Sequence, residues 1–380
     1  MTRVLVFAYA CDWSKGSEPG AGATIVDAIA EFVDEVVVIT RREVDRVVPR
    51  FVRHNVTVIA LPVLPPKLPI YFRYVAWILM AAFRASHLRR VTRFNVVHHA
   101  TYASDWFVNP LCFLRKRSNE RWVWGPAGGS TYAPVDVSEI VAGSAKSNGA
   151  KREKLTKLFR KYVHRRLSAS TDCALALNED AKQSFDSSGF KYVLTVSNFV
   201  MDYSALVKPE SRLERTILWA ARGVDWKGLP LLLSAFDRLP PPWRLVVAGP
   251  DTDLDRYRSM AAGNGRVEFL GALSRTETLA LMAKATALAL PSLHDSAPWA
   301  AAEAAAFGTP VVCLPYGGVS TLAGSCAVVV QPQPVSTLEK RFAEALQSCS
   351  ETSRVVEETH TMDNLRSVLR LAYGLEVENV

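Results

Sequence analysis

At 380 residues the chain is about twice the usual single-domain length of roughly 100 to 200, so two packed cores are expected. With 49% hydrophobic and 22% charged residues it has large apolar faces to bury, which excludes a charge-rich disordered polymer. Forty-five Lys and Arg against 37 Asp and Glu leave +8, which suits an anionic ligand, an acidic lipid surface or nucleic acid without choosing among them.

Val4 to Ala10 are too few apolar residues for a signal-peptide core, and they read as a first buried strand. Further β-rich runs follow at 36–40, 56–61, 96–100, 122–126 and 174–177. Helical segments lie between them, with Ile25, Ala28, Ile29 and Phe32 spaced as one buried stripe. Such alternation of continuous apolar strands with helices predicts a doubly wound parallel sheet. The stretch Tyr74 to Phe83 is half the roughly 20 residues needed to cross a bilayer. Residues 134–150 read as a long loop. In the basic stretch 146–166, Leu155, Leu158, Phe159, Tyr162 and Val163 share one helical face, expected to be buried. Together with Arg84, Arg89, Arg90 and Arg93, this stretch also suits anionic lipid.

The strand–helix pattern restarts after about residue 200, with runs at 217–221, 244–249, 267–271, 287–292, 310–315 and 327–330. The join falls near 197–216, where apolar periodicity lapses. A last helix, about 352–374, carries Leu365, Val368, Leu369 and Ala372 as one stripe. The expected fold class is therefore α/β, with two Rossmann-like domains. Residues 1–200 form the first, with 352–380 packing back on it, and 201–351 form the second. Cys11, Cys112, Cys173, Cys313, Cys326 and Cys349 are scattered, so neither a disulfide framework nor a zinc site is expected; reduced cytoplasmic thiols are the simplest reading.

Four segments carry chemistry. In 291–318 a strand end, a loop and a helix from Pro298 to Phe307 precede Gly308, a helix stop. Glu303 is the only ionisable side chain in that helix, and the Asp295 loop precedes it where ligands of such sheets sit, beyond the strand ends. Second, Arg222 and Lys227 follow a buried strand beside Gly223 and Gly228, a loop suited to a diphosphate. Third, Gly16, Gly20 and Gly22 lie between the first strand and helix. Their spacing is not GxGxxG, which disfavours a nicotinamide cofactor, but their helix N-terminus suits phosphate or a polar sugar. Fourth, His98 and His99 end a strand before Thr101 and Tyr102, and strand alternation turns at most one of them toward a cleft. Asp251, Asp253 and Asp255 resemble a DxD metal site but follow a Rossmann-type strand and are expected to cap a helix.

Taken in order, GSEPGAG near the N-terminus, HHATY, GPAGGS at 125–130, ARGVDWKG at 221–228 and D-x(7)-E-A at 295–304 resemble the retaining glycosyltransferases of family 4, which have the GT-B fold. The resemblance covers nearly the whole chain. It implies that the first domain holds a hydroxyl acceptor and the second a nucleotide-diphosphate sugar of UDP or GDP type, with no cofactor and no metal. Arg222 and Lys227 would hold the diphosphate, Glu303 the ribose, and Asp295 with Ser296 the donor sugar, with Leu270, Gly20 and Gly22 also on the donor. Gly16, Thr101 and Tyr102 would face the acceptor, and His99 would position sugar or acceptor. The catalytic set it implies is His99, Arg222, Lys227 and Asp295.

Several positions depart from the family pattern. The usual E-G-F-G is D-S-A-P here, leaving the donor sugar open; Ser197-Asn198-Phe199 stands for Pro-Asn-Gly, and no Glu follows Gly317-Gly318. The acceptor is a saccharide, a lipid-linked saccharide or a small metabolite; peripheral contact with the anionic inner face of the membrane is a further expectation, and nucleic acid is not expected. The competing functions are an epimerase or phosphorylase on the same fold, and a non-catalytic sugar-nucleotide-binding subunit.

Overall fold

The computed structural model describes residues 1–12, 17–42, 53–143, 149–207, 211–250, 254–349 and 355–375, with the side chains of 17 and 149–155 outside the description. The chain divides into two units. Met1–Ser130, Lys154–Val200 and His360–Val380 make the first; Thr131–Glu153 and Met201–Thr359 make the second.

The first unit is built on β1 (Arg3–Ala8), β2 (Glu35–Arg41), β3 (Val56–Leu61), β4 (Val96–Thr101), β5 (Arg121–Ala127), β6 (Cys173–Ala176) and β7 (Val193–Thr195). All pair in parallel in the order β3-β2-β1-β4-β5-β6-β7. Strand alternation divides the core. Leu5, Phe7 and Val97 point into a cluster shared with α2 (Ile70–Val91), α4 (Gly149–Ser168) and α5 (Glu179–Ser187). Val4, Val6 and Val96 point the other way, against α1 (Ser17–Ala30) and α12 (Met362–Ala372). Leu365, Leu369 and Ala372 are the buried stripe of α12, as their spacing predicts.

The second unit repeats the plan with β8 (Thr216–Ala220), β9 (Arg244–Ala248), β10 (Val267–Gly271), β11 (Ala287–Leu290), β12 (Val311–Cys313) and β13 (Ala327–Val329), in the order β10-β9-β8-β11-β12-β13. Around it lie α3 (Val135–Ala142), α6 (Leu229–Phe236), α7 (Asp255–Met260), α8 (Arg275–Lys284), α9 (Trp299–Ala306), α10 (Val319–Ala323) and α11 (Leu338–Ser348). α9 ends as its sequence predicts: Gly308 has φ +67°, its N–H donates to Ala305 O at 2.8 Å and that of Thr309 to Ala304 O at 3.1 Å.

Three expectations are corrected. Residues 134–150 do not form one loop, since α3 occupies 135–142; residues 144–148 lie outside the description. Val137 and Val141 of α3 are buried with Leu232, Phe236 and Trp219, so this segment belongs to the second unit although its sequence lies within the first. The face of α4 is also rotated from that expected. Val163 and Leu167 are buried, whereas Leu158, Phe159 and Tyr162 are exposed. Among the described residues no helix is long and apolar enough to cross a membrane.

His98 shows why a paired titratable group stays in the core. Its Nε2 lies 2.6 Å from Gly125 O and its Nδ1 2.8 Å from Tyr373 Oη. The carbonyl can only accept, so Nε2 carries the proton and Tyr373 donates to Nδ1. Burial lowers His98 to about 4, His164 to about 4 and His99 to about 3. The unfolded chain takes up these protons near the ordinary 6.5, so acid favours unfolding. The stability is complete above about pH 6.5 and falls as pH drops toward 4, by up to about 1.4 kcal/mol per unit for each histidine. Melting curves between pH 7 and 5 should therefore converge for wild type and His98→Gln; parallel curves would remove His98 from the acid response.

Candidate functional site

Both sheets reverse their strand order at the first strand of the unit, between β1 and β4 and between β8 and β11. Beyond the carboxyl ends of such neighbours the connections diverge and leave a crevice, the usual ligand position of doubly wound sheets. In the second unit the two ends lead into Arg222 and into the Asp295 loop.

Arg222 is exposed, and its side chain has no hydrogen bond or ion pair among the described residues. Five residues on, Lys227 closes a short 3-10 turn, Asp225–Lys227, that ends on Gly228 at φ +75°. A Cβ at Gly228 would lie 2.3 Å from Pro291 O, so only glycine lets the two loops meet. That contact delivers Lys227 to Asp295: Nζ donates to Oδ2, and both side chains are nearly buried. Nζ also lies 4.6 Å from the centre of the Trp226 ring, which lies tilted by 30° against His294 with ring centres 4.6 Å apart. Two residues predicted to contact a donor separately thus form one ion pair in this structure.

The Asp295 loop is held from the other side by Gly317 and Gly318. Gly318 N–H donates to Asp295 O at 2.7 Å, and a Cβ there would lie 2.1 Å from Ser296 O. Glu303 is not isolated among its alanines. Its Oε1 accepts from Arg275 Nε at 3.2 Å and Nη2 lies at 3.1 Å. Burial raises the Glu303 carboxyl, and Arg275 opposes that shift. Leu270, at the end of β10, is partly open. Asp255 is the first residue of α7 and not its cap, since Leu254 holds the cap position without a side-chain cap hydrogen bond, while Asp251 and Asp253 lie outside the described residues.

In the first unit the structure rearranges the predicted set. Gly16 lies outside the described residues. Gly20 and Gly22 sit inside α1 rather than ahead of it, so the amide of Gly22 is committed to the helix and the open amides lie earlier in its first turn. The missing side chain of Gly22 serves packing: a Cβ would lie 2.1 Å from Ala10 O and 2.7 Å from the Thr101 methyl. Thr101 is buried and its hydroxyl accepts from Ala10 N–H at 3.1 Å, so it is closed to an acceptor. His99 is also fully buried, with Nε2 3.4 Å from Tyr74 Oη. Neither presents a surface for direct contact with substrate here.

Tyr102 is partly open, with φ +55°, a strained setting for a side-chain-bearing residue. Its N–H donates to Glu18 Oε1 at 2.6 Å, and burial raises the Glu18 carboxyl against that bond. Tyr74 Oη donates to Tyr102 O at 3.0 Å, and Tyr9 packs edge-on to both rings at 4.8 Å. Glu18 and Tyr74 were not singled out from sequence. The acid within GSEPGAG was the available signal for Glu18; for Tyr74 there was only an apolar helix.

Residues 207–361 match the family described as glycosyl transferases group 1. Over 134 residues the chain is 33% identical to a glycogen synthase of Mycobacterium tuberculosis, covering 32% of this chain and 31% of that protein. It is 32% identical over 117 residues to a D-inositol 3-phosphate glycosyltransferase of Corynebacterium glutamicum, 28% of each. The chain therefore matches about a third of the length of these curated relatives. Across 98% of both chains it superposes on the sucrose-phosphate synthase of Thermosynechococcus elongatus with a TM-score of 0.65 at 16% identity. The Anabaena protein HepE in complex with UDP-glucose gives 0.58 at 14% identity, over 98% of this chain and all of that one. The chain has the GT-B fold, two Rossmann-like units, and across the second of them it matches the glycosyl transferases group 1 family.

Proposed function

We propose that the protein is a glycosyltransferase that moves a sugar from a nucleotide-diphosphate sugar to a hydroxyl acceptor, with retained anomeric configuration and without a metal. The observation that carries the reading is the exposed Arg222 at the β8 switch point, whose side chain has no hydrogen bond or ion pair among the described residues, one loop from the Lys227–Asp295 pair. The group 1 match over this unit and the UDP-glucose complex of a protein with the same fold support a UDP- or GDP-type donor.

As the bond from the anomeric carbon to the diphosphate oxygen breaks, negative charge grows on the phosphate. Arg222 meets that charge directly. Lys227 exchanges Asp295 for phosphate, which frees the Asp295 carboxylate, beside Ser296, for sugar hydroxyls. Because the charge is larger in the transition state than in the bound donor, these contacts favour the transition state. The acceptor hydroxyl forms the new bond on the face the phosphate leaves, and its proton passes to a phosphate oxygen. Glu303 accepts from the ribose hydroxyls while Arg275 opposes the upward shift that burial gives its carboxyl, and Leu270 lies against the nucleoside. In the first unit Tyr102 and Glu18 face the acceptor. His99 acts through Tyr74 as a positioning residue, and in α1 it is the first-turn amides, rather than those of Gly20 and Gly22, that are open to a ligand. The acceptor is a saccharide, a lipid-linked saccharide or a small metabolite, met in the cytoplasm.

A panel of UDP- and GDP-sugars incubated with saccharide and lipid-linked acceptors, with excess chelator present, tests the proposal. The expected result is acceptor-dependent release of nucleoside diphosphate and a glycoside whose anomeric configuration, read by NMR, matches the donor. Acceptor-free isomerisation, cleavage that requires phosphate, or loss of turnover on chelation restored by manganese would each overturn it.

A further inference from the structure

A surface helix of a globular unit buries one stripe and hydrates the other. α2 departs from this. Its inner stripe, including Tyr74, Trp77, Ile78 and Ala81, is buried on the sheet. A second apolar row lies outside: Phe72, Leu79 and Phe83 are 68%, 49% and 80% exposed. At 3.6 residues per turn these three lie within about 40° of one another around the helix axis. The lead-in adds Leu64, Leu68 and Ile70, all exposed. No Asp or Glu occurs anywhere from Pro62 to Arg93, whereas Lys67, Arg73, Arg84, Arg90 and Arg93 do.

α4 has the same character. It buries Val163 and Leu167 in the cluster that receives α2, so both helices cover one face of the sheet. Outside it leaves Leu158, Phe159 and Tyr162 exposed among Lys157, Lys161 and Arg165. Exposed apolar rows of this kind, along two helices on one face of the sheet, mark an interaction surface. The charge selects the partner. In a two-fold contact with a second copy, the same patch meets itself and Arg73 and Arg84 face their own kind. An anionic bilayer satisfies both parts, since aromatic and leucine side chains enter the headgroup boundary while Lys and Arg meet lipid phosphates.

We infer that α2 and α4 form a face that docks on anionic membrane, with Phe72, Leu79 and Phe83 inserted. The inference does not depend on the proposed transfer reaction, and its readout is binding alone. The full chain is floated with vesicles of phosphatidylcholine, or of phosphatidylcholine mixed equally with phosphatidylglycerol. Expected is flotation with the mixed vesicles only, weakening as salt rises because exposed charges are screened within about 8 Å at physiological ionic strength. Phe72→Ser/Phe83→Ser alters no charge, and its exposed positions leave the melting temperature unchanged. It should weaken partitioning at least tenfold at low salt. Equal recovery in the soluble fraction with both vesicle types would overturn the inference. So would a double variant that floats like wild type, or a concentration-dependent dimer abolished by the same double substitution, which assigns the face to a second copy.

Discussion

Arg222→Ala is expected to lower transfer by about ten- to more than a hundredfold, the loss that corresponds to a charge-assisted contact of roughly 1.5 to 3 kcal/mol. Its melting temperature should stay that of wild type, because the side chain is exposed and makes no hydrogen bond or ion pair among the described residues. Lys227→Ala should lose at least as much activity but behave differently in stability. Removing the ammonium leaves Asp295 nearly buried without its cation, an uncompensated charge that costs about 1 to 3 kcal/mol. Lys227→Ala/Asp295→Asn removes that charge and should recover much of the stability while remaining inactive. The two readouts separate a phosphate ligand from a structural ion pair. Near-normal turnover of Arg222→Ala at saturating donor would remove the loop from the chemistry. Full activity in the stability-restored double variant would make the Lys227–Asp295 pair purely structural.

The central strands are legible because buried parallel strands are continuous apolar runs, as in Val96–Thr101, buried throughout; the edge strands Val56–Leu61 and Val267–Gly271 are only partly buried, yet their apolar runs still give the bounds read from sequence. β7 was not found, being three half-exposed residues at a sheet edge. Periodicity showed that α4 has an apolar side but not which side the sheet takes. Val163 belongs to both the predicted and the observed stripe, and docking turned the helix toward Leu167 and away from Leu158. α3 was illegible for a different reason. Its partners, Trp219, Leu232 and Phe236, lie 77 or more positions downstream, and nothing in residues 134–150 announces them. At the candidate site the residue types were legible and the pairings were not. Lys227 and Asp295 are 68 positions apart, and Glu18 and Tyr102 are 84 apart. Of the glycines, Gly22 was read with Gly16 and Gly20 as room for phosphate or a polar sugar. At Gly22, Gly129 and Gly318 the room is taken by the protein itself: Ala10 O, the Asp105 carboxylate and Ser296 O.

That occupation makes Gly318→Ala a disruptive single methyl at the Asp295 loop. Gly318 has φ −102°, which alanine adopts freely, so the backbone itself raises no objection. The obstacle is steric. The added Cβ would sit 2.1 Å from Ser296 O and 2.9 Å from Ser296 C, both backbone atoms with no rotamer to escape into. Ordinary contact requires the loop to retreat by about an ångström, and the loop that retreats carries Asp295 and leads into α9. Misplacement of this size costs on the order of a hundredfold in rate when it strikes groups that position a reacting centre. The accompanying overpacking costs about 1 to 3 kcal/mol of stability. Gly265→Ala is the matched control, since its Cβ would meet nothing within 4 Å. Transfer should collapse in Gly318→Ala while circular dichroism still reports a folded chain, and Gly265→Ala should match wild type. Wild-type turnover in Gly318→Ala would mean that the Asp295 loop can shift without consequence, and with it the assignment of Asp295 and Ser296 to the donor sugar would fail.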